Sequence, residues 1–271
     1  MPVSERQLAA FADTHAWRIP FDTSPRHLAG PGDGRHVTHG LAAAGWKRTS
    51  EPLSPEIVLT SPDHRHSLQF DPQSATAARW RLRADPTDTE PGWYAEFGEL
   101  VPAEVLGAVT DALVTPSTAE PRTLLDAAAA AGWLIGARGA ASSPDAACRV
   151  ERRPERNAAV SWHVEAHEPE HSPRGPRLWH AWFDARTPTR LVDAFVTALA
   201  DPAPLQRGMF DRTAHGAVQE PSPLSPQHVV DAHTERLRAL RARTRAARRR
   251  PQPETAKAPA LPPSPPASLR R

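Results

Sequence analysis

Between residues 65 and 99 the chain alternates apolar and polar residues with the two-residue period of a half-buried strand. In ARWRLRA, Trp80, Leu82 and Ala84 fall on one side and Arg79, Arg81 and Arg83 on the other. In WYAEF, Trp93, Ala95 and Phe97 oppose Tyr94 and Glu96. The period then lengthens to helical steps: Val105, Leu106, Val109 and Leu113 follow Pro102, and proline suits a first helical turn because no amide hydrogen is needed there. Upstream, residues 36–44 read as a helix ended by Gly45, where a left-handed C-terminal turn favours glycine. EIVLTS leads from it into a Ser61-Pro62-Asp63 turn and the strand RHSLQFD. The predicted unit is αββββα, with antiparallel strands and both helices on one sheet face.

The same grammar occurs twice. LAAAGW at Trp46 is answered by AAAAGW at Trp133, Ser61-Pro62-Asp63 by Ser143-Pro144-Asp145, RHSLQFD by ACRVERR, and ARWRLRA at Trp80 by AVSWHVEA at Trp162. GWYAEFGELVPAEVLGAVTDALVTP aligns with LWHAWFDARTPTRLVDAFVTALADP, whose helix is predicted to begin at Pro188 with Thr187 as its N-cap. Two tandem units follow, residues 27–116 and 117–204, and the fold class is α+β. Positions that keep large apolar residues in both copies mark the core: Trp46, Trp80, Trp93 and Phe97, with Trp133, Trp162, Trp179 and Phe183. Burying a ring of that size is worth roughly 1.5–3 kcal/mol.

The opposite sheet faces have diverged. Arg79, Arg81, Arg83, Tyr94 and Glu96 in the first copy stand where the second has Ser161, His163, Glu165, His180 and Trp182. Arg79, Arg81, Arg83, Tyr94, Glu96, His180 and Trp182 form the candidate interaction surface: three arginines on one strand can grip phosphate or an acidic partner, and an outward Trp without a counterpart suits an interface.

The flanks read as an N-terminal helix and lead-in (1–26), a Pro/Ser-rich connector (205–225), a basic amphipathic helix (226–250) and a disordered Pro-rich tail (251–271). Val230, His233, Leu237, Leu240 and Thr244 make a narrow stripe fit for docking on the body or for a short coiled coil. From Arg236 onward there are eleven Lys or Arg and one acid, against 22 basic and 30 acidic residues before it. Arg236, Arg238, Arg241, Arg243, Arg245, Arg248, Arg249 and Arg250 are therefore candidate polyanion ligands, and the acidic body is the competing anion.

The phrases SPRHLAGPGD, HVTHGLAAAGW, LSPEIVLTSPDHRHSLQFDP, TEPGWYAEFGELVPAEVL, GPRLWHAWFDARTP and FVTALADPAPLQR resemble the actinobacterial domain of unknown function family 317, in order, over about residues 24–240. The resemblance implies a tandem domain pair and a cytoplasmic, actinobacterial setting. It implies no activity, cofactor or catalytic residue.

The residues themselves add exclusions. Cys148 is the only cysteine, so neither an internal disulfide nor a multi-cysteine metal site is expected. His36 with His39, His64 with His66, and the loose set His163, His167, His171 and His180 lack acidic or Cys ligands at diagnostic spacing, and no metal or other cofactor is expected. No phosphate loop or nucleophile elbow is present, so no enzymatic role is expected; no apolar run is long enough for a membrane helix. The expectation is a cytoplasmic, non-catalytic binding or adaptor protein with a protein partner; a nucleic-acid-associated regulator through the arginine face and tail is the alternative, and an uncharacterised enzyme is the third choice.

Overall fold

The structure, a computed structural model, describes residues 3–51, 53–115, 125–154, 159–169 and 175–249. The first repeat runs α2 (Arg35–Ala43), β2 (Lys47–Arg48), β3 (Ile57–Thr60), β4 (His66–Phe70), β5 (Ala78–Ala84), β6 (Trp93–Gly98) and α3 (Ala103–Val114). It is preceded by α1 (Glu5–Ala16) and β1 (Pro20–Ser24). The second runs α4 (Asp126–Ala130), β7 (Leu134–Ile135), β8 (Ala141–Ser142), β9 (Cys148–Pro154), β10 (Val160–His167), β11 (Arg177–Phe183) and α5 (Thr189–Ala200). After it come β12 (Leu205–Gly208), β13 (Val218–Pro221) and α6 (Pro226–Arg249).

Among the described residues each repeat therefore has five strands, one more than the alternation predicts. The additions are the two-residue strands β2 and β7, too short to leave a periodic pattern, at the two outer edges of the sheet. Both opening helices close as their glycines require. Gly45 and Gly132 adopt φ +94° and +81°, and paired backbone bonds (Trp46 N to Leu41 O and Gly45 N to Ala42 O; Trp133 N to Ala128 O and Gly132 N to Ala129 O) complete the same C-terminal turn twice. A Cβ on Gly132 would meet nothing within 4 Å, so Gly132→Ala isolates the backbone cost. The expected loss in urea denaturation is about 1–2 kcal/mol.

Two capping expectations need correction. Pro102 and Pro188 occupy the N-cap itself, with extended backbone, and helices α3 and α5 begin one residue later. The Thr187 hydroxyl is not a cap; it donates to Asp184 Oδ1 at 2.8 Å and lies 3.2 Å from Tyr94 O, tying α5 to the first repeat.

The two repeats do not keep separate sheets. Strand β6 pairs antiparallel with β11, giving one ten-stranded sheet in the order β2-β3-β4-β5-β6-β11-β10-β9-β8-β7. The register sets Ala95 opposite Phe183, Glu96 opposite Trp182 and Phe97 opposite Ala181. These are the residues that the two copies exchange, so a local two-fold axis runs between Glu96 and Trp182. Edge pairing removes two exposed strand edges at once.

One continuous core lies on the helical face. Trp46, Trp80, Trp93, Phe97, Trp133, Trp179 and Phe183 are buried in it, with Val105, Leu106 and Val109 of α3 and Leu191, Val192 and Phe195 of α5. Trp162 departs from the expectation: it is half-buried at the margin of this core. The cause is its neighbour. Trp80 pairs with Phe70, whose ring lies 4.1 Å away, whereas Trp162 pairs with Arg152, which covers the ring with a guanidinium at 5.5 Å.

The flanks build a second layer. The 205–225 segment, expected as a connector, supplies β12 and β13, which sandwich β1 in a three-stranded antiparallel sheet in the order β12-β1-β13. Helix α6 starts at Pro226 as expected and packs on α1 and α2. Ser4 opens α1 with a reciprocal capping box to Gln7. Residues 250–271, including the expected disordered tail, and residues 116–124, where the two expected units meet, lie outside the described residues.

Candidate functional site

All helices of the two repeats cover one sheet face, and the diverged residues lie together on the other. Tyr94, Glu96, His180 and Trp182 meet at the junction, each half-buried. The Tyr94 hydroxyl donates to Glu96 Oε2 at 3.1 Å, His180 Nε2 approaches Glu96 Oε1 at 3.3 Å, and the Tyr94 and Trp182 rings are 5.7 Å apart. Partial burial, then the Glu96 charge, raises the Tyr94 phenol above its ordinary value.

The two flanks of this centre differ in electrostatics. On the second repeat, Arg153 lies between Glu151 and Glu165, and Arg177 also reaches Glu165 at 3.4 Å. Partial burial would raise the Glu165 pKa, but Arg153 and Arg177 outweigh it and hold the carboxyl below its usual range. On the first repeat, the structure takes Arg79 to the strand end, where it bonds Ser74 O and pairs with Glu99 at 3.5 Å. Arg81 donates to the hydroxyls of Ser74 and Thr76 at 3.0 and 2.8 Å, and Arg83 to that of Ser67 at 2.9 Å, with Asp85 at 4.0 Å. Arg81, Arg83, Tyr94, Ser67, Gln69 and Glu56 line a shallow cavity of about 350 Å³. The candidate surface is thus an aromatic centre, a self-neutralised flank and a flank whose arginines are held mainly by hydroxyls.

The basic helix is docked. Of the stripe, His233, Leu237 and Leu240 are buried against the body and Val230 and Thr244 are half-buried, which is the docked arrangement. Arg236 is part of that seam and is withdrawn from any polyanion surface: it forks onto Asp111 at 2.6 and 2.8 Å and donates to His36 O at 2.8 Å. Gly40 and Gly107 leave its slot, since a Cβ on either would lie 3.1 Å from the guanidinium. Arg241 is half-buried and donates to Val3 O at 3.2 Å, which withdraws it too. Arg238 pairs with Glu235 in the open, and Arg243 and Arg245 are exposed. The side chains of Arg248 and Arg249, and Arg250 altogether, lie outside the described residues.

Under α6 the structure assembles a cluster that sequence spacing could not show. His39 Nδ1 lies 3.1 Å from His233 Nε2, Phe11 stacks on His233 at 4.1 Å, and His36 meets the His233 ring edge-on at 5.0 Å. Among the described residues no group of three His, Cys, Asp or Glu is placed to hold a metal ion. His163 contacts Trp182, His167 bonds Gly175 O, and His171 lies outside the described residues. Cys148 is buried, and its thiol is pushed well above its ordinary range by burial and by Asp145.

Burial lowers the pKa of His39 to about 4, with Arg35 adding to the effect, and burial with His36 lowers that of His233 to about 3. In the unfolded chain both titrate near 6.5. Their contribution to stability is therefore complete above pH 6.5 and is lost as pH falls below it, because only the unfolded state then takes up the protons. Urea midpoints should drop between pH 7 and pH 4.5, and a His39→Leu/His233→Leu chain should show a shallower drop.

Among the described residues no helix is long and apolar enough to cross a membrane. No curated protein and no solved structure matches the chain. Two segments, residues 60–119 and 142–205, match the family described as SPDY, domain of unknown function (DUF317). They run from the end of β3 past α3 and from the end of β8 to the start of β12, which takes in the three long strands and the closing helix of each repeat but not the opening helices α2 and α4. By sequence repeat, register and family match together, the chain holds two copies of a unit similar to the SPDY family of domains of unknown function.

Proposed function

We propose that the protein is a non-catalytic binding module that recognises a protein partner with the uncovered face of its ten-stranded sheet. One observation carries this reading: fusion of the two sheets brings Tyr94 and Trp182, which belong to different repeats, into ring contact at the centre of a face that, among the described residues, no helix covers. Tyr and Trp at the middle of a patch, ringed by charged side chains, are what protein interfaces concentrate. The self-neutralised Glu151–Arg153–Glu165 flank favours orientation and selectivity over raw affinity.

The test is site-specific photo-crosslinking in cells from position 182, with exposed position 190 on α5 as the control. A discrete adduct from 182 and not from 190, lost when Tyr94 is changed to Ala, supports the reading. Equal adducts from both positions, or none from 182, would end it.

A second reading, nucleic-acid association, is favoured by the hydroxyl-held Arg81 and Arg83 and by the outward Arg238, Arg243 and Arg245. Binding to single- and double-stranded DNA should then fall steeply with salt. Arg238/Arg243/Arg245→Gln, which leaves the docked seam intact, separates the helix from the sheet as the site. No binding at low salt removes this reading.

A further inference from the structure

A cavity of about 350 Å³ opens where α6 crosses the loop before α2 and the start of β12. That volume is within the range of small-molecule pockets. Its wall combines apolar surface from Leu205, Leu224 and Val229 with polar groups from five elements, and most of these residues lie outside the two family-matched segments.

The polar groups are arranged as acceptors facing acceptors. The His15 side chain is 7% exposed, and its Nδ1 is 2.8 Å from Phe11 O. A carbonyl only accepts, so Nδ1 carries the hydrogen. Burial lowers the His15 pKa, which leaves the ring neutral at pH 7 and Nε2 a bare lone pair. That lone pair faces Asp33 Oδ2 at 4.0 Å. Asp33 is ionised: the bonds from Arg35 outweigh its burial and bring its pKa to about 2. Two acceptors so placed repel each other unless one atom offers a hydrogen to each. His36 Nε2 also lines the cavity, 3.9 Å from Glu104 Oε1. Two other lining residues carry buried atoms with no hydrogen-bond partner among the described residues, Gln206 Oε1 and His233 Nδ1. Unpaired buried polar atoms are uncommon enough to require an explanation.

The charges around the cavity already balance. Arg18 pairs with Asp211 at 2.7 Å, Arg207 with Glu104 at 2.7 Å, Arg236 with Asp111 at 2.6 Å and Arg35 with Asp33 at 2.6 Å. A charged ligand would find no net counter-charge. A hydroxyl offers one hydrogen, whereas an NH2 group offers two from a single atom, which can sit about 2.9 Å from both acceptors.

We propose that this cavity binds a small neutral molecule through an amino or carboxamide NH2 group held between His15 Nε2 and Asp33 Oδ2, with Gln206 Oε1 as a further acceptor. Because His233 and Arg236 belong to α6 and His15 to α1, an occupant bridges the docked helix to the body and strengthens its docking.

The test compares matched probes on the full chain: adenine against purine, and benzamide against acetophenone. Binding is followed by the imidazole nitrogen resonances of His15 and His36. The amino-bearing member of each pair should shift His15 Nε2 and bind at least about tenfold more tightly, the loss expected when one or two buried acceptors go unmet. Ala232→Trp, an exposed α6 position at the cavity wall, should abolish binding while circular dichroism stays unchanged. Gln206→Met should weaken binding without filling the space. Equal affinity within the pairs, no shift with either amino-bearing probe (a cavity holding water only), or unchanged binding in folded Ala232→Trp would overturn the assignment.

Discussion

Phe97→Ala should destabilise the protein by about 3–5 kcal/mol, the usual cost of truncating a fully buried aromatic. Phe97 is wholly buried on β6, edge-on to Phe183 of β11 at 5.3 Å and 5.7 Å from Phe195 of α5. Its loss therefore removes contacts in the second repeat as well as the first. Urea unfolding followed by tryptophan fluorescence and by far-ultraviolet circular dichroism should show one coincident transition, shifted as a whole. Two separate transitions, with only one displaced, would mean that the repeats hold independent cores. Cα-level pairing of β6 with β11 would then be a docking of two stable units instead of the closure of one.

Arg207→Met should cost a similar amount for a different reason. The guanidinium is 1% exposed and forks onto Glu104 at 2.7 and 3.0 Å while donating to Ala29 O and Gly30 O. Burial opposes the Glu104 charge, but Arg207, with His36 helping, keeps the carboxyl ionised and its pKa below the usual range. Removing one member of a buried pair strands the other, at about 3–5 kcal/mol. A second change, Glu104→Gln, removes the stranded charge, so the double variant should recover a large part of the loss. The pH dependence fixes the sign independently. Glu104 stabilises the fold above its unfolded pKa and loses that contribution as pH falls through the lower folded one, so wild type and Arg207→Met should converge in strongly acidic solution. A gap that persists unchanged at low pH would assign the effect to lost packing.

The repeat made much of the fold readable. Trp93, Ala95 and Phe97 could be assigned to the core because Trp179, Ala181 and Phe183 repeat them, and all six are buried. The same comparison placed Tyr94 and Glu96 with His180 and Trp182 on the diverged face, and Glu96 and Trp182 stand opposite each other across the sheet junction. Trp162 was misplaced because burial depends on the cross-strand partner, and the exchange of Phe70 for Arg152 is not visible as a break in alternation. Strands β1, β12 and β13 left no signal of their own, since they are four or five residues long and owe their pairing to one another. In an arginine-rich chain nothing distinguished the buried, paired Arg207 or the half-buried, paired Arg236 from the exposed Arg243 and Arg245.

The sequence by itself determined the longer strands, the helices and the glycine C-terminal turns of the two repeats, because alternation, helical spacing and glycine placement are local properties that the two copies state twice. It also determined which faces are apolar. Only the tertiary structure decided what those faces meet. Joining β6 to β11 turned two half-sheets into one and set Tyr94 beside Trp182; folding α1, β12 and α6 over the first repeat gathered His15, Asp33, His36, Glu104, Gln206 and His233 around one cavity. These residues are separated by up to 218 positions in the chain, from His15 to His233. Their meeting depends on long-range edge pairing and buried ion pairs, which no local periodicity encodes.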